Sequence, residues 1–228
     1  MPRSYALDDY LEAIYILDSE GDSVIGARVA DFLGVTAPSV TEAIQRLAKR
    51  DLVALGEHHA IELTASGRSV AEGLVRRHRI AERWLTDVLG LDWAQADVEA
   101  SKLAQAFSLD VADRLSNLMH NPETCPHGNP IPGNAHAAFH RGPRLDSIPA
   151  GFETIVERVV EHAEVDSQLL HYLWQLGILP GVRLTVTDKV PGAGTVVVRR
   201  NGEEIALGLS AASKIQVQPA TEAAPLTS

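Results

Sequence analysis

Residues 36–53 read TAPSVTEAIQRLAKRDLV, and how this stretch folds decides the architecture of the N-terminal third of the chain. Val40, Ala43, Ile44 and Leu47 recur at helical spacing and mark one buried face; Ser39, Thr41, Glu42, Gln45, Arg46 and Lys49 share the other. Just upstream, Ile25, Val29, Ala30 and Leu33 form a second stripe, closed by Gly34 where a helix C-terminus favours a left-handed residue. Two short helices joined by the tight GVTA connection make a helix-turn-helix pattern. Leu7, Tyr10, Leu11, Ile14 and Tyr15 predict a preceding helix over residues 6–17, and LVALGEHHAIELT (residues 52–64) predicts a hairpin around a polar turn. Helix, helix-turn-helix and hairpin in that order spell a winged helix.

In a winged helix the second helix of the pair enters the major groove by its N-terminal end. That end carries Thr36, Ala37, Pro38 and Ser39, with Thr41 and Glu42 one turn on, and small hydroxyl and methyl groups suit base edges. Arg46, Lys49, Arg50 and, from the preceding helix, Arg28 are placed to reach phosphates, which position a duplex without reading it. His58 and His59 fall in the wing turn. The competing reading is a solvated helix face in a protein-interaction domain, because fold alone does not settle function.

The charge balance runs against the first reading. The chain has 20 Lys and Arg against 30 Asp and Glu, a formal net charge of −10, whereas a basic domain is the usual footprint of nucleic-acid binding. With 228 residues and 45% hydrophobic content it is a globular chain long enough for two domains. The single cysteine, Cys125, excludes an internal disulfide framework, and no apolar run approaches the roughly 20 residues that cross a bilayer. The N-terminus lacks a signal-peptide core, so the expected setting is cytoplasmic with no membrane partner.

Helical patterns continue over residues 65–89, with Val70, Leu74, Ala81, Leu85 and Val88 as the expected buried side. They resume over residues 94–119, with Val98, Phe107, Val111, Leu115 and Leu118, and Asp92 with Gln95 offers a capping box at the start. Trp84, Leu89, Leu91 and Trp93, near the break, are an apolar surplus expected to form a two-fold interface. Residues 121–151 are rich in Pro and Gly and read as a connector. Strand patterns follow over residues 152–218, and residues 219–228 read as a disordered tail.

His78 and Glu82 stand four apart on one helical face, as two ligands of one ion would; the bland alternative is a surface pair. Asp9 and Glu12 share the side of the first helix that faces away from its apolar stripe. Cys125 and His127 in CPHGN, with His136 and His140 in HAAFH, invite a zinc reading, although the spacing is not that of a standard finger.

DDYLEAIYILDSEG (residues 8–21), LVRRHRIAERWLTDVLGL (74–91) and CPHGNPIPG (125–133), in that order and spacing, resemble the diphtheria-toxin-repressor family of metal-dependent transcriptional regulators. LLHYLWQLGILPGVRLTV (169–186) and ALGLSAASKIQV (206–217) resemble the small SH3-like domain that ends such repressors and recurs in ferrous-iron transport accessory proteins. The resemblance implies a mainly α protein with a small β component. A winged helix-turn-helix spans residues 1–72 and a helical metal-binding and dimerisation domain residues 73–140. A linker over 141–151 leads to an SH3-like small β-barrel over 152–218. It also implies a homodimer on a palindromic operator in double-stranded DNA, with Mn(II) or Fe(II) as the sensed cation and control of metal homeostasis as the outcome.

Ligand positions carry over by resemblance. Asp9 and Glu12 match a primary site whose remaining donors fall at Ser101, Ala104 and Gln105; here a methyl group, a hydroxyl and an amide replace stronger donors, so that site is degraded. An ancillary site falls on His78, Glu82, Asp97, Glu161 and Glu164, all of which can bind a hard cation, and Arg79 and Asn129 match positions that hold an anion beside the metal. No nucleophile–base pair or phosphate loop points to an enzyme. The alternative to a regulated repressor is a metal-buffering or interaction module that keeps the fold.

Overall fold

The computed structural model describes residues 6–21, 23–135, 142–161 and 166–220. Three helices open the chain: α1 (Leu7–Ser19), α2 (Gly26–Leu33) and α3 (Ala37–Lys49). The α2–α3 turn closes as its sequence dictates. Gly34 adopts the left-handed conformation (φ 64°) and donates to the Ala30 and Asp31 carbonyls, and the Thr36 hydroxyl accepts from the Ser39 N–H to cap α3. β1 (Val53–Leu55) and β2 (Ile61–Leu63) pair antiparallel, with Val53 opposite Leu63, and a 3-10 turn at Glu57–His59 makes the wing tip. The apolar stripes converge: Leu11, Ile14, Val29, Val40, Ile44, Leu47, Val53 and Ile61 form one core. Each such side chain contributes about 1.5–3 kcal/mol when fully removed from water.

α4 (Ala65–Asp87) leaves this domain and carries its Ala71 back into the core. The second helical pattern is not one helix but two, α5 (Trp93–Ala106) and α6 (Leu109–Leu118). Phe107 is extended, and Ser108 starts a new helix by accepting a hydrogen bond from the Val111 N–H. The expected faces shift accordingly. Ala81 and Leu85 of α4 are buried against Ala96 and Ala100 of α5, and Ala71, Val75 and Ile80 complete the buried side of α4. Val70, Val88, Val98, Val111 and Leu118, expected inside, are exposed. Small alanines let α4 and α5 pack closely, and the larger residues are left outward.

After a 3-10 turn at Leu145–Ser147 come β3 (Glu153–Val159), α7 (Ser167–Gln175), β4 (Arg183–Val190), β5 (Thr195–Arg200), β6 (Glu203–Gly208), α8 (Leu209–Ala212) and β7 (Ile215–Pro219). The five strands form one antiparallel sheet in the order β6-β5-β4-β3-β7. Its core includes Leu170, Leu173, Ile178, Val186, Val198, Leu207 and Ile215, and it also takes in Trp93 from α5. Trp93 therefore does not face a two-fold interface: it is 1% exposed and lies 5.9 Å, ring to ring, from Trp174. The third domain uses this indole as its anchor on the helical domain. Of the other three aromatic and leucine residues expected there, Trp84 and Leu91 are partly buried against α4–α5, and Leu89 is exposed.

Candidate metal centre and nucleic-acid face

α4 places His78 and Glu82 one turn apart, and α5 brings Asp97 against them. His78 Nε2 lies 3.5 Å from Glu82 Oε1 and 3.5 Å from Asp97 Oδ1. The three donor atoms sit within 4.8 Å of one another, close to the spread of about 3–4.5 Å that ligands around a single ion require. Glu82 is fully buried, and neither of its oxygens has a hydrogen-bond partner. A bare carboxylate in the interior costs several kcal/mol unless a cation or a proton compensates it. His78 responds to this environment. Burial by itself would lower its pKa, but the Glu82 carboxylate, with Asp97 and Glu12, overrides burial and holds the imidazole well above its usual value. The trio is built to hold positive charge.

The connector meets the same Glu82 oxygen that His78 approaches. His127 Nδ1 is 3.5 Å from Glu82 Oε1, and the donor atoms of Glu82, Cys125 and His127 also lie within 4.8 Å of one another, all three residues buried. The sequence sets Cys125 and His127 beside His136 and His140; the structure joins the first two to a carboxylate some forty positions upstream, and His136 and His140 lie outside the described residues. C-x-H was the visible half of this constellation, and no local spacing advertised Glu82 as the other half. The loop is tightly held: Cys125 N–H donates to the Asn129 carbonyl at 2.8 Å, Gly128 N–H to Cys125, and the His127 ring meets Trp93 edge-on at 4.7 Å. Gly128 has φ 92°, and a Cβ there would stand 2.3 Å from the Glu157 carbonyl oxygen. Gly128→Ala should therefore cost about 2 kcal/mol or more of stability, read as a lower thermal midpoint of the metal-free chain; an unchanged midpoint would contradict this account of the loop.

The α1 side of the centre is a cavity of about 470 Å³. Asp9, Glu12, His78 and Asp97 line it together with Ser101, Ala104 and Gln105, so members of both expected ligand sets border one space. Burial raises the Glu12 pKa against the opposing pull of His78 and Arg79. Asp9 Oδ2 accepts from the Ala6 N–H at 2.6 Å and thereby caps α1. Arg77 Nε donates to the Ala104 carbonyl at 2.9 Å. Glu161 borders the cavity and pairs with Arg79, whose other nitrogen donates to the Pro130 carbonyl. Arg79 and Asn129, expected beside an anion, both have protein partners, since Asn129 bonds the Val159 carbonyl and Arg158. Glu164 lies outside the described residues.

The nucleic-acid face is simpler. Thr36, Ala37, Pro38, Ser39, Thr41 and Glu42 are all exposed at the start of α3, and Arg46, Lys49 and Arg50 are exposed at its end. Thr36 and Ser39 hydroxyls lie 2.9 Å apart, and Thr41 donates back to the Ala37 carbonyl, so this end is held rigid. Arg46 is drawn toward Glu42 at 4.0 Å, a loose exposed pair. Arg28 stands apart from this group and lines a separate cavity with Glu20, Asp31 and Arg144.

Comparison with known proteins adds an independent finding. Residues 4–60 match the family described as iron dependent repressor, N-terminal DNA binding domain; residues 64–133 match its metal binding and dimerisation domain; residues 144–219 match the FeoA domain. The chain is 34% identical over 219 residues to the iron-dependent repressor IdeR of Mycobacterium tuberculosis, covering 92% of this chain and 95% of that one. It is 32% identical over 218 residues to the diphtheria toxin repressor of Corynebacterium glutamicum, covering 92% and 94%. A manganese-dependent transcriptional repressor solved in complex with manganese superposes with a TM-score of 0.79 at 32% identity, over 94% of this chain and 100% of that one.

Proposed function

From the premise that the chain belongs to the iron-dependent repressor family, which includes the diphtheria toxin repressors, we propose how its residues divide the work. It is a metal-dependent, DNA-binding transcriptional repressor and not an enzyme, with Mn(II) or Fe(II) as the regulating cation and metal homeostasis as its province. It acts as a homodimer on a DNA operator, and no helix among the described residues is long and apolar enough to cross a membrane. The finer reading is a cytoplasmic regulator that recognises a palindrome, one winged helix per half-site. A second copy covers exposed apolar residues of the helical domain, among them Val98, Leu109, Val111 and Leu118.

The observation that carries the metal reading is the buried, bare carboxylate of Glu82 between two donor sets. His78, Glu82 and Asp97 would hold the ion, a nitrogen and oxygen set suited to Mn(II) or Fe(II). Cys125 and His127 offer Glu82 a second, softer set of partners. A divalent ion held there supplies two positive charges to a cleft that is otherwise dominated by carboxylates. Asp9 and Glu12 bring the winged-helix domain to that cleft. Without compensation they repel Glu82 and Asp97, so the seating of α1 on α4 depends on charge. That seating in turn sets the presentation of α3. The metal effect on operator affinity equals its differential affinity for the two seatings.

Ala104 and Gln105 leave the Asp9 and Glu12 side short of donors. Ala104→Glu combined with Gln105→His should turn one tight Mn(II) per chain into two and raise operator affinity at limiting Mn(II) by about tenfold, the size of a typical coupling. Calorimetric stoichiometry of both proteins tests it. Two tight ions in the unaltered chain, with no gain from the pair of substitutions, would show that the ligands are misplaced.

A further inference from the structure

Arg158 lies in β3, 2% exposed, at a position where an arginine is out of place in a small β-domain. The β3–β7 register shifts between Val156 and Arg158, and such a bulge re-aims the side chain that follows it. Here it turns the guanidinium out of the sheet and into the junction of all three domains. Nη1 and Nη2 donate to the two oxygens of Glu20, the Nη2 bond being 2.8 Å. Nη1 also donates to Asn129 Oδ1 at 2.9 Å, and Nε to Gln216 Oε1 at 3.1 Å. Glu20 is the C-terminal cap residue of α1, the helix whose other end carries Asp9 and Glu12. Asn129 closes the loop that carries Cys125 and His127: its carbonyl accepts from Cys125, its amide donates to the Val159 carbonyl at 3.0 Å, and Val159 N–H donates to His127.

One planar fork thus holds the winged helix, the donor loop and the third domain at once. A bidentate arginine–carboxylate pair tolerates little displacement, and this one is nearly out of water, with side-chain exposures of 3% and 15%. If α1 moves relative to the donor loop, Arg158 cannot keep both Glu20 and Asn129. We infer that Arg158 is a positioning residue for metal sensing: through Glu20 and Asn129 it ties the seating of α1 to the Cys125–His127 loop, so that metal occupancy and operator affinity change together. This rests on the metal-sensing reading above. Neither Arg158 nor Glu20 belongs to either donor cluster, so the link is separable from metal binding itself.

The test uses the intact chain and four measurements on wild type, Glu20→Gln and Arg158→Lys: Mn(II) affinity, operator affinity with Mn(II), operator affinity with a chelator, and thermal midpoint. Arg158→Lys keeps the charge but has no fork to span two partners. In both variants Mn(II) affinity of the DNA-free protein should stay within about twofold of wild type. The ratio of operator affinities with and without Mn(II) should fall at least tenfold. By reciprocity, operator DNA should then raise Mn(II) affinity correspondingly less. A lowered thermal midpoint with the ratio intact overturns the inference and leaves a merely structural ion pair. Loss of Mn(II) affinity itself in Glu20→Gln also overturns it, because the residue would then belong to the site. A wild-type ratio of one overturns this inference together with the metal-sensing reading, and that arm tells the two failures apart.

Discussion

Glu82→Gln should lower Mn(II) affinity by at least a hundredfold and abolish the metal-dependent part of operator binding, while the metal-free protein becomes no less stable. The two halves of this expectation share one cause. Glu82 is the single carboxylate common to both donor clusters, so its loss strips each of them at once. Even residues behind the ligands change metal affinity by about 10–100-fold, and a shared ligand should exceed that. Glutamine keeps the volume and removes a buried charge that has no hydrogen bond on either oxygen. Relief of that desolvation is worth on the order of 1–3 kcal/mol, offset in part by the lost attraction to His78. A residue that merely packs α4 would do the opposite, lowering stability and leaving metal affinity in place. Calorimetry with Mn(II) and a thermal melt with chelator, on the same preparation, separate the cases.

The simultaneous change of Arg46, Lys49 and Arg50 to Ala should weaken operator and random-sequence DNA alike, by on the order of 10²–10³-fold at moderate salt. All three side chains are exposed at the C-terminal end of α3, away from the reading end. Each phosphate contact contributes about 0.9 to the slope of log affinity against log salt, so the slope should become shallower by about 2–3. Thermal stability should hardly move, since among the described residues the ion pair these three side chains make is the loose, exposed Arg46–Glu42 contact at 4.0 Å. Changes at Pro38 or Ser39 should instead alter which sequences are preferred. Equal operator affinity of the triple variant and wild type would remove α3 from the interface.

The winged helix was legible because its signals are local. Periodic stripes, a left-handed glycine and a hydroxyl cap each act within a few residues, and the structure uses all three at Gly34 and Thr36. The break at Phe107 was missed because Val98, Phe107 and Val111 keep apolar spacing across it, and only the Ser108 cap marks the new start. Trp93 was assigned to the wrong neighbour for a related reason: bulk and hydrophobicity say that an indole is buried, not which domain buries it. The expected inner faces of the helical domain held only in part: Ala81 and Leu85 are buried as expected, but elsewhere the interior takes small residues, Ala71, Ala96, Ala100 and Ala112, whose weak hydrophobic signal is lost beside Val70 or Leu118. At the candidate site, His78 and Glu82 were readable at one helical turn. Cys125 and His127 are legible as a C-x-H pair but their nearness to Glu82 is not, because it is made by tertiary packing alone. The same holds for Glu20 and Arg158, whose side chains meet only when three domains are assembled.

An acidic chain that binds a polyanion needs a cause for the attraction, and the account places it in the cleft between α1, α4 and α5. The direct measurement is an operator-binding isotherm of the intact protein at fixed salt, first with chelator and then with saturating Mn(II). The account predicts an affinity at least tenfold higher with Mn(II), reversed by adding chelator, and the same low affinity with and without Mn(II) for Glu82→Gln. Operator affinity of the unaltered chain that is equal in chelator and in Mn(II) would contradict it.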